Sequence, residues 1–149
     1  MYKKITSAAL KEAQKAFDAK EIPVGAVIFN TQNKQIVARA HNQTLTRQDI
    51  TAHAEIRALQ KACKKLKTTH LQGYGCYTTL EPCAMCAQAL SWAEVDVVFF
   101  GAYDPKSGGV EHNARVLNYA HHKPQIVGGM EEKKCQDLLV RFFKGLRHD

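Results

Sequence analysis

Two short segments constrain this chain more than any others: His53-Ala54-Glu55 and, further on, Pro82-Cys83-Ala84-Met85-Cys86. Together they supply one imidazole, one carboxylate and two thiols. Zinc binds cysteine sulfur and histidine nitrogen readily, and three protein ligands leave the fourth tetrahedral position open to water. Segments that lie far apart along the chain must therefore meet in the fold if they are to share one ion.

The spacing of these residues predicts how they reach the ion. Cys83 and Cys86 are three residues apart, so on a helix they share one face. Pro82 suits a helix start, where the positive end of the helix dipole lowers the pKa of a thiol. His53 and Glu55 would diverge in a helix interior, and we therefore expect both in the first turn of a second helix whose N-terminus points at the metal.

The predicted zinc ligands are thus His53, Cys83 and Cys86, with Glu55 left unligated. A carboxylate beside a metal site can accept a proton and deliver it elsewhere, which is general acid/base catalysis. A Cys-x-x-Cys pair alone is more often half of a structural zinc site or a redox pair. A catalytic site is favoured here because four-ligand structural sites lack a spare acid, and this set lacks an obvious fourth ligand.

Three segments of the chain, residues 51–56, 79–86 and 100–109, resemble the bacterial tRNA-specific adenosine deaminases. The first two carry the His-x-Glu and Pro-Cys-x-x-Cys signature of the zinc nucleobase deaminases in general. The third restricts the resemblance to the tRNA-specific adenosine deaminases. It implies an α/β, three-layer cytidine-deaminase-like fold whose five-stranded mixed sheet has helices on both faces and its last two strands parallel. It also implies one Zn²⁺ per chain and a homodimer whose interface helps to build the active site.

The activity that the resemblance implies is hydrolytic deamination of adenosine to inosine at the wobble position of a tRNA anticodon. The partner would be a tRNA anticodon stem-loop, whose target base can lie outside the stack. Glu55 would pass a proton from water to N1 of adenine and later relay one to the departing amine. The backbone amide of Cys83 would contact the oxygen at the reacting carbon.

Further substrate contacts also follow from the resemblance. Asn42 matches the residue whose amide contacts the target base, although an asparagine could equally serve a turn here. Asp104 matches an acidic residue near the ribose of the flipped nucleotide, with a turn residue before Pro105 as the alternative. Lys106 matches a phosphate contact. Residues that would line the pocket, or else belong to the core, are Val24, Phe29 and Leu80.

Two other functions are compatible with these residues. A deaminase of a free base or nucleoside, such as cytosine, cytidine or guanine, would use the same zinc chemistry. A non-catalytic, zinc-stabilised RNA-binding module would need the metal ligands but not Glu55. The basic surface and the loop at residues 101–109 favour RNA over a free base, and an activity that depends on Glu55 would exclude the module.

Length and composition limit what else the chain can be. With 149 residues and no linker or repeat, it is expected to form a single domain spanning residues 1–149. We expect a cytoplasmic protein without membrane contact, because the chain start lacks a secretion signal and no apolar run approaches membrane-spanning length. Five cysteines, two of them assigned to zinc, argue against a disulfide framework. The expected free thiols are Cys63, Cys76 and Cys135.

Positive charge is in excess, with 21 Lys and Arg against 14 Asp and Glu and a net charge of +7. Such a balance favours a polyanionic partner. One cluster comprises Lys61, Lys64, Lys65 and Lys67 and is typical of a solvated helix face. The other comprises Lys133, Lys134, Arg141, Lys144 and Arg147.

The hydrophobic pattern predicts alternating helices and strands after an opening hairpin, which indicates a layered α/β fold. Apolar residues at helical spacing predict helices over residues 2–19, from near 53, from near 83 and over 131–144, with a short helical piece within 111–120. Apolar or alternating runs predict strands at residues 23–29, 35–40, 75–79, 95–100 and 125–127.

Overall fold

The structure, a computed structural model, describes residues 1–148, with the side chains of residues 1–146. All the predicted strands and the four predicted helices are present. In chain order the elements are α1 (Lys3–Asp18), β1 (Gly25–Asn30), β2 (Ile36–His41), α2 (Ala54–Leu66), β3 (Tyr74–Leu80), α3 (Ala84–Trp92), β4 (Val97–Ala102), a 3₁₀ helix (Val116–Tyr119), β5 (Gln125–Val127) and α4 (Glu132–His148).

The five strands form one mixed sheet in the order β2-β1-β3-β4-β5. Strand β1 pairs antiparallel with both β2 and β3, whereas β3 with β4 and β4 with β5 pair in parallel. Parallel neighbours need a crossover, and α3 supplies it between β3 and β4. The predicted mixed sheet with parallel last strands is confirmed.

Alternation along the strands assigns the helices to the two faces of the sheet. In β1, Ala26 and Ile28 pack in one buried cluster with Ala54 and Ala58 of α2, and this cluster extends to Leu90 of α3. The intervening residues of β1 point to the opposite face, since successive strand side chains alternate. There they pack against α1, and α4 contacts α1, β3 and β4. The predicted three-layer arrangement is therefore confirmed.

The expectation that Phe29 lines the pocket is wrong. This side chain is buried against Ile5 and Ala8 of α1. Its ring stacks on that of Phe99 at a centroid distance of 5.9 Å and meets Tyr2 edge-on at 6.1 Å. Because α2 and α3 lie on the other face of the sheet, Phe29 is a core residue remote from the predicted metal ligands.

Two local predictions also differ from the structure. Within residues 111–120 only Val116–Tyr119 is helical, as a 3₁₀ turn, because Asn113 and Arg115 adopt positive φ angles of 55° and 44° that interrupt helical backbone. Strand β4 begins two residues later than the predicted start at residue 95 and continues through Gly101 to Ala102.

The cluster Lys61, Lys64, Lys65 and Lys67 is exposed, as a solvated helix face should be. Two of its members also protect the edge of the sheet. The ammonium groups of Lys61 and Lys65 donate hydrogen bonds to the carbonyls of Arg39 (3.0 Å) and Val37 (3.4 Å) on the edge strand β2. Charged lysines at a sheet edge discourage pairing with another chain.

Cys63, Cys76 and Cys135 are free thiols in or at the edge of the core, as predicted. Among the described residues, none of the helices combines the length and the apolar character that crossing a bilayer demands.

Candidate active site

The three predicted ligands converge at the starts of two helices. His53 immediately precedes α2 and Cys83 immediately precedes α3, both with extended backbone, and Cys86 lies in the first turn of α3. The imidazole nitrogen and the two sulfur atoms lie within 4.8 Å of one another. Both helix starts therefore face one point, as the spacing predicts.

The distances between these atoms fit a zinc ion. The His53 Nδ1 atom is 3.6 Å from the Cys83 sulfur and 3.5 Å from the Cys86 sulfur. A tetrahedral ion with Zn–S bonds of about 2.3 Å and Zn–N bonds of about 2.1 Å would place nitrogen and sulfur about 3.6 Å apart. The three side chains could thus hold the ion with little rearrangement.

The pKa values of the two cysteine thiols are shifted in opposite directions. Hydrogen bonds from the Cys86 thiol and from His53 lower the pKa of Cys83 to about 4, despite the opposing effect of burial. The hydrogen bond to Cys83 and its own burial raise the pKa of Cys86. One proton is therefore retained between two close sulfurs, and a bound divalent cation would stabilise both as thiolates.

Glu55 lies in the first turn of α2, next to the ligands but outside their set. Its side chain is buried, with 4% of the residue exposed. Burial, reinforced by the negative charge of Cys83, raises the pKa of Glu55 to about 7. A carboxyl group with a pKa near neutrality can both accept and donate a proton at cellular pH.

Asn42 follows β2, and its side chain donates a hydrogen bond through the amide nitrogen while the amide oxygen has no partner among the described residues. Its backbone N–H donates to the carbonyl of Val24 (3.0 Å), and its side-chain amide donates to the carbonyl of Ile22 (3.3 Å). The side-chain oxygen is buried and accepts no hydrogen bond from the described residues. Such an acceptor is costly to leave without a partner, so it is available to a ligand.

The loop that follows Asn42 is held by a second buried carboxylate, Glu21. Its oxygens accept hydrogen bonds from the backbone N–H groups of Leu45 (3.1 Å) and Thr46 (2.7 Å). Burial works to raise the pKa of Glu21, but these hydrogen bonds outweigh it and lower the pKa. The remaining pocket candidates, Val24 and Leu80, pack on the same face of the sheet as α2 and α3.

Asp104 and Lys106 lie in the loop that follows β4. The Asp104 carboxylate accepts a hydrogen bond from the backbone N–H of Ser107 at 3.0 Å, and the Asp104 carbonyl accepts one from Gly108 at 2.8 Å. Asp104 therefore does form a turn, as its alternative interpretation requires, while its side chain remains partly exposed. Lys106 is exposed beside it.

One buried side chain beside the ligands was not predicted to have a role. Glu81 lies between β3 and Cys83, and its carboxylate binds the same loop that carries Asp104. The signal in the sequence is weak: a single acidic residue between Leu80 and Pro82, directly after a buried strand. Nothing in the local pattern indicates which distant backbone groups it would bind.

A layered α/β sheet whose helix starts present one histidine, two cysteines and a free carboxyl group defines a class of zinc-dependent deaminases. Residues 1–102 match the sequence profile of the cytidine and deoxycytidylate deaminase zinc-binding region. The chain therefore belongs to the cytidine and deoxycytidylate deaminase family, and its cofactor is zinc.

Comparison with individual relatives assigns the chain to one branch of that family. It is 44% identical over 141 residues to the tRNA-specific adenosine deaminase of Bacillus subtilis (strain 168), a match that spans 93% of this chain and 86% of that protein. The enzyme of the same name from Rickettsia bellii (strain RML369-C) is 40% identical over 141 residues, or 93% of this chain and 97% of that protein. The chain is thus a hydrolytic deaminase of the tRNA-specific adenosine deaminase branch.

Solved structures agree with this fold. A structure from a study of A-to-I editing by tRNA:A34 deaminases at the wobble position of transfer RNA is similar with a TM-score of 0.88 and 38% identity. The match covers 92% of this chain and 99% of that one. A guanine deaminase from Nitrosomonas europaea shares the fold at a TM-score of 0.82, with 21% identity, over 93% of this chain and 82% of that one.

Proposed function

We propose that this protein deaminates adenosine to inosine at the wobble position of a tRNA anticodon. The observation that carries the proposal is a buried, unligated carboxyl group, Glu55, beside a ligand set that matches tetrahedral zinc distances. The similarity to tRNA-specific adenosine deaminases, which extends over nearly the whole chain, supports the choice of substrate. In this proposal residues 1–149 form one deaminase domain.

In the proposed site His53, Cys83 and Cys86 would hold one Zn²⁺ per chain. When bound, the metal would supply a water molecule whose pKa is lowered toward neutrality. Glu55 would take one proton from water and deliver it to N1 of adenine, which makes C6 more electrophilic. Glu55 would then relay a second proton, from the hydroxyl group added at C6, to the amine, so that the C–N bond breaks, ammonia leaves and inosine remains. The backbone N–H of Cys83, at the start of α3, donates to the oxygen at C6.

Substrate contacts in the proposal come from the loops around the ligands. The free side-chain oxygen of Asn42 accepts a hydrogen bond from the target base, and Val24 and Leu80 form the wall behind it. Asp104 binds near the ribose of the flipped nucleotide, and the exposed Lys106 binds a neighbouring phosphate. A flipped base is required because C6 of a stacked adenine is out of reach.

In this proposal, basic residues in and near the loop that follows β4 bind the RNA outside the pocket. Lys106 and Lys144 of α4 line one groove, which is also lined by apolar side chains that include Phe143. The exposed members of the second basic cluster, Lys133, Lys134 and Arg141, lie on the same helix, whereas the Arg147 side chain lies outside the described residues. A net charge of +7 suits a polyanionic partner such as an anticodon stem-loop. The proposed location is the cytoplasm, without membrane contact.

We also propose a homodimer. Large apolar side chains are exposed on and beside α3, the helix that carries the cysteines: Met85, Trp92 and, on the 3₁₀ helix packed against it, Tyr119. A second copy would bury them next to the site. Sedimentation at micromolar concentration should give twice the monomer mass, and Trp92→Glu should shift the population to monomers. A wild-type protein that sediments only as a monomer would contradict the proposal.

The proposed function is tested with the zinc-loaded protein and two kinds of substrate. An unmodified tRNA anticodon stem-loop and, separately, free adenine, cytosine, guanine and cytidine are incubated with it, and the products are identified by mass. We expect inosine in the RNA and no conversion of the free compounds. Conversion of the free compounds alone would establish the alternative, a free-base or nucleoside deaminase.

The same assay contains a test of phosphate contacts. At RNA concentrations below KM the rate should fall steeply as salt is added, because each neutralised phosphate releases counterions. A rate independent of salt would show that the basic residues do not contact the RNA.

A further inference from the structure

Glu81 forms an unusually complete set of hydrogen bonds for a buried carboxylate. Its side chain has 0% exposure. One oxygen accepts hydrogen bonds from the backbone N–H of Asp104 (3.1 Å) and the Nδ1 atom of His112 (2.8 Å). The other accepts from the backbone N–H groups of Val110 (3.3 Å), Glu111 (2.8 Å) and His112 (3.1 Å).

All of these donors belong to one loop, residues 103–112. Among the described ion pairs, His112 is the partner of Glu81, and no lysine or arginine contacts it. All five donors are N–H groups, so both oxygens of Glu81 act as acceptors, which is the arrangement of a charged carboxylate with the loop wrapped around it.

The hydrogen bonds to Glu81 hold both ends of the loop segment that carries the proposed nucleotide contacts. Asp104 at one end and Val110 at the other end bind the two oxygens of the same carboxylate, and Lys106 lies between them. Without this common anchor the segment 104–110 would keep its internal turn, the bond from the Gly109 N–H to the Pro82 carbonyl and the bonds from the Asn113 side chain to the carbonyls of Pro105 and Gly108. It would lose the group that ties both of its ends to one point, and a loop with fewer buried anchors is more mobile, so that its entropy opposes ligand binding.

The loop also lies directly on the start of α3. The N–H of Gly109 donates to the carbonyl of Pro82 at 2.8 Å. A Cβ atom on Gly109 would come within 2.8 Å of the Cys83 carbonyl carbon, and one on Gly108 within 2.5 Å of the Glu81 carboxyl carbon. Two glycines thus allow backbone to approach the ligand-bearing helix start as closely as it does.

We propose that Glu81 is a positioning residue for nucleotide binding, an inference that rests on the proposed function. It holds Asp104 and Lys106 at a set place relative to the ligands, because Glu81 is two residues from Cys83 and binds both ends of the loop segment. The carboxylate does not touch the reacting atoms. Its effect is exerted through the loop, on binding of the RNA.

The test is Glu81→Gln, which keeps the size of the side chain but turns an NH₂ group toward N–H donors. We expect KM for the anticodon stem-loop to rise by about tenfold or more, kcat to change by less than about threefold, and one zinc per chain to remain. Amide hydrogen exchange at Val110, Glu111 and His112 should become at least about tenfold faster. A role in stability alone would lower Tm without changing KM.

Glu111→Gln is the matched control, because it makes the same change of charge on an exposed side chain of the same loop. Its KM should stay within about twofold of the wild-type value. If Glu81→Gln does not fold, His112→Ala removes one of the donors and should give a smaller rise in KM with a similar kcat.

Unchanged KM in a folded Glu81→Gln variant, or in His112→Ala when that variant replaces it, would overturn the inference, as would loss of zinc. An inactive wild-type protein would instead contradict the proposed function, and the exchange rates would still report whether Glu81 holds the loop. Unchanged exchange would then overturn the inference independently.

Discussion

Replacing Glu55 by glutamine is expected to abolish turnover while zinc stays bound. The amide keeps the shape of the side chain in its buried position but cannot accept and return a proton at cellular pH. Because the proposed reaction needs both transfers from the same group, kcat on the anticodon stem-loop should fall by about 10³-fold or more. Steady-state kinetics and metal analysis of the same preparation measure the two quantities.

Glu111→Gln serves as the control here too, since its side chain is exposed and it should retain wild-type kcat. Zinc loss from Glu55→Gln would mean that this carboxylate is itself a ligand, which the arrangement of His53, Cys83 and Cys86 does not require. Measurable wild-type activity that survives the substitution would show that Glu55 is not the proton carrier. A protein that binds RNA and zinc but never deaminates would be the non-catalytic module.

The second large effect is expected from Cys86→Ser, which removes one of three proposed ligands. Cys86 is buried in the first turn of α3, so serine fits the space but supplies a poor ligand for zinc. Zinc content should fall well below one per chain, and activity should fall by about 10³-fold or more because the nucleophile is no longer generated.

Cys63→Ser is the matched control, because this half-buried thiol on α2 lies outside the ligand group. It should keep its zinc and its activity. Ligand binding to the folded state raises Tm, so a chelator should lower Tm of the wild type and of Cys63→Ser but leave that of Cys86→Ser unchanged. Full zinc content in Cys86→Ser would exclude Cys86 as a ligand.

The ligand set could be predicted because the signals that define it are local. Helix starts depend on neighbouring residues, and the three-residue spacing of Cys83 and Cys86 places both sulfurs at one end of a helix. His53 precedes its helix for the same kind of reason, and Glu55 follows within the first turn. The order of helices and strands, and with it the layered fold, could be predicted because hydrophobic periodicity is also a property of nearby residues.

Other features depend on groups that are distant along the chain. The pattern of β1 predicts a buried strand, but Phe29 faces α1 rather than the ligands because the pairing of β1 with β2 and β3 decides which face each side chain meets. Likewise the free acceptor of Asn42 results from how Ile22 and Val24 pass beside it.

Sequence alone therefore sufficed for the kind of chemistry, since the identity and close spacing of histidine, cysteine and glutamate restrict the metal and the proton carrier. The folded chain decided where those groups stand and what surrounds them. Glu81 shows the difference most clearly: its position in the chain predicts no partner, yet backbone groups from residues 104 to 112 converge on it. Burial and hydrogen bonding between distant segments arise only when the layers pack, and no local pattern encodes them.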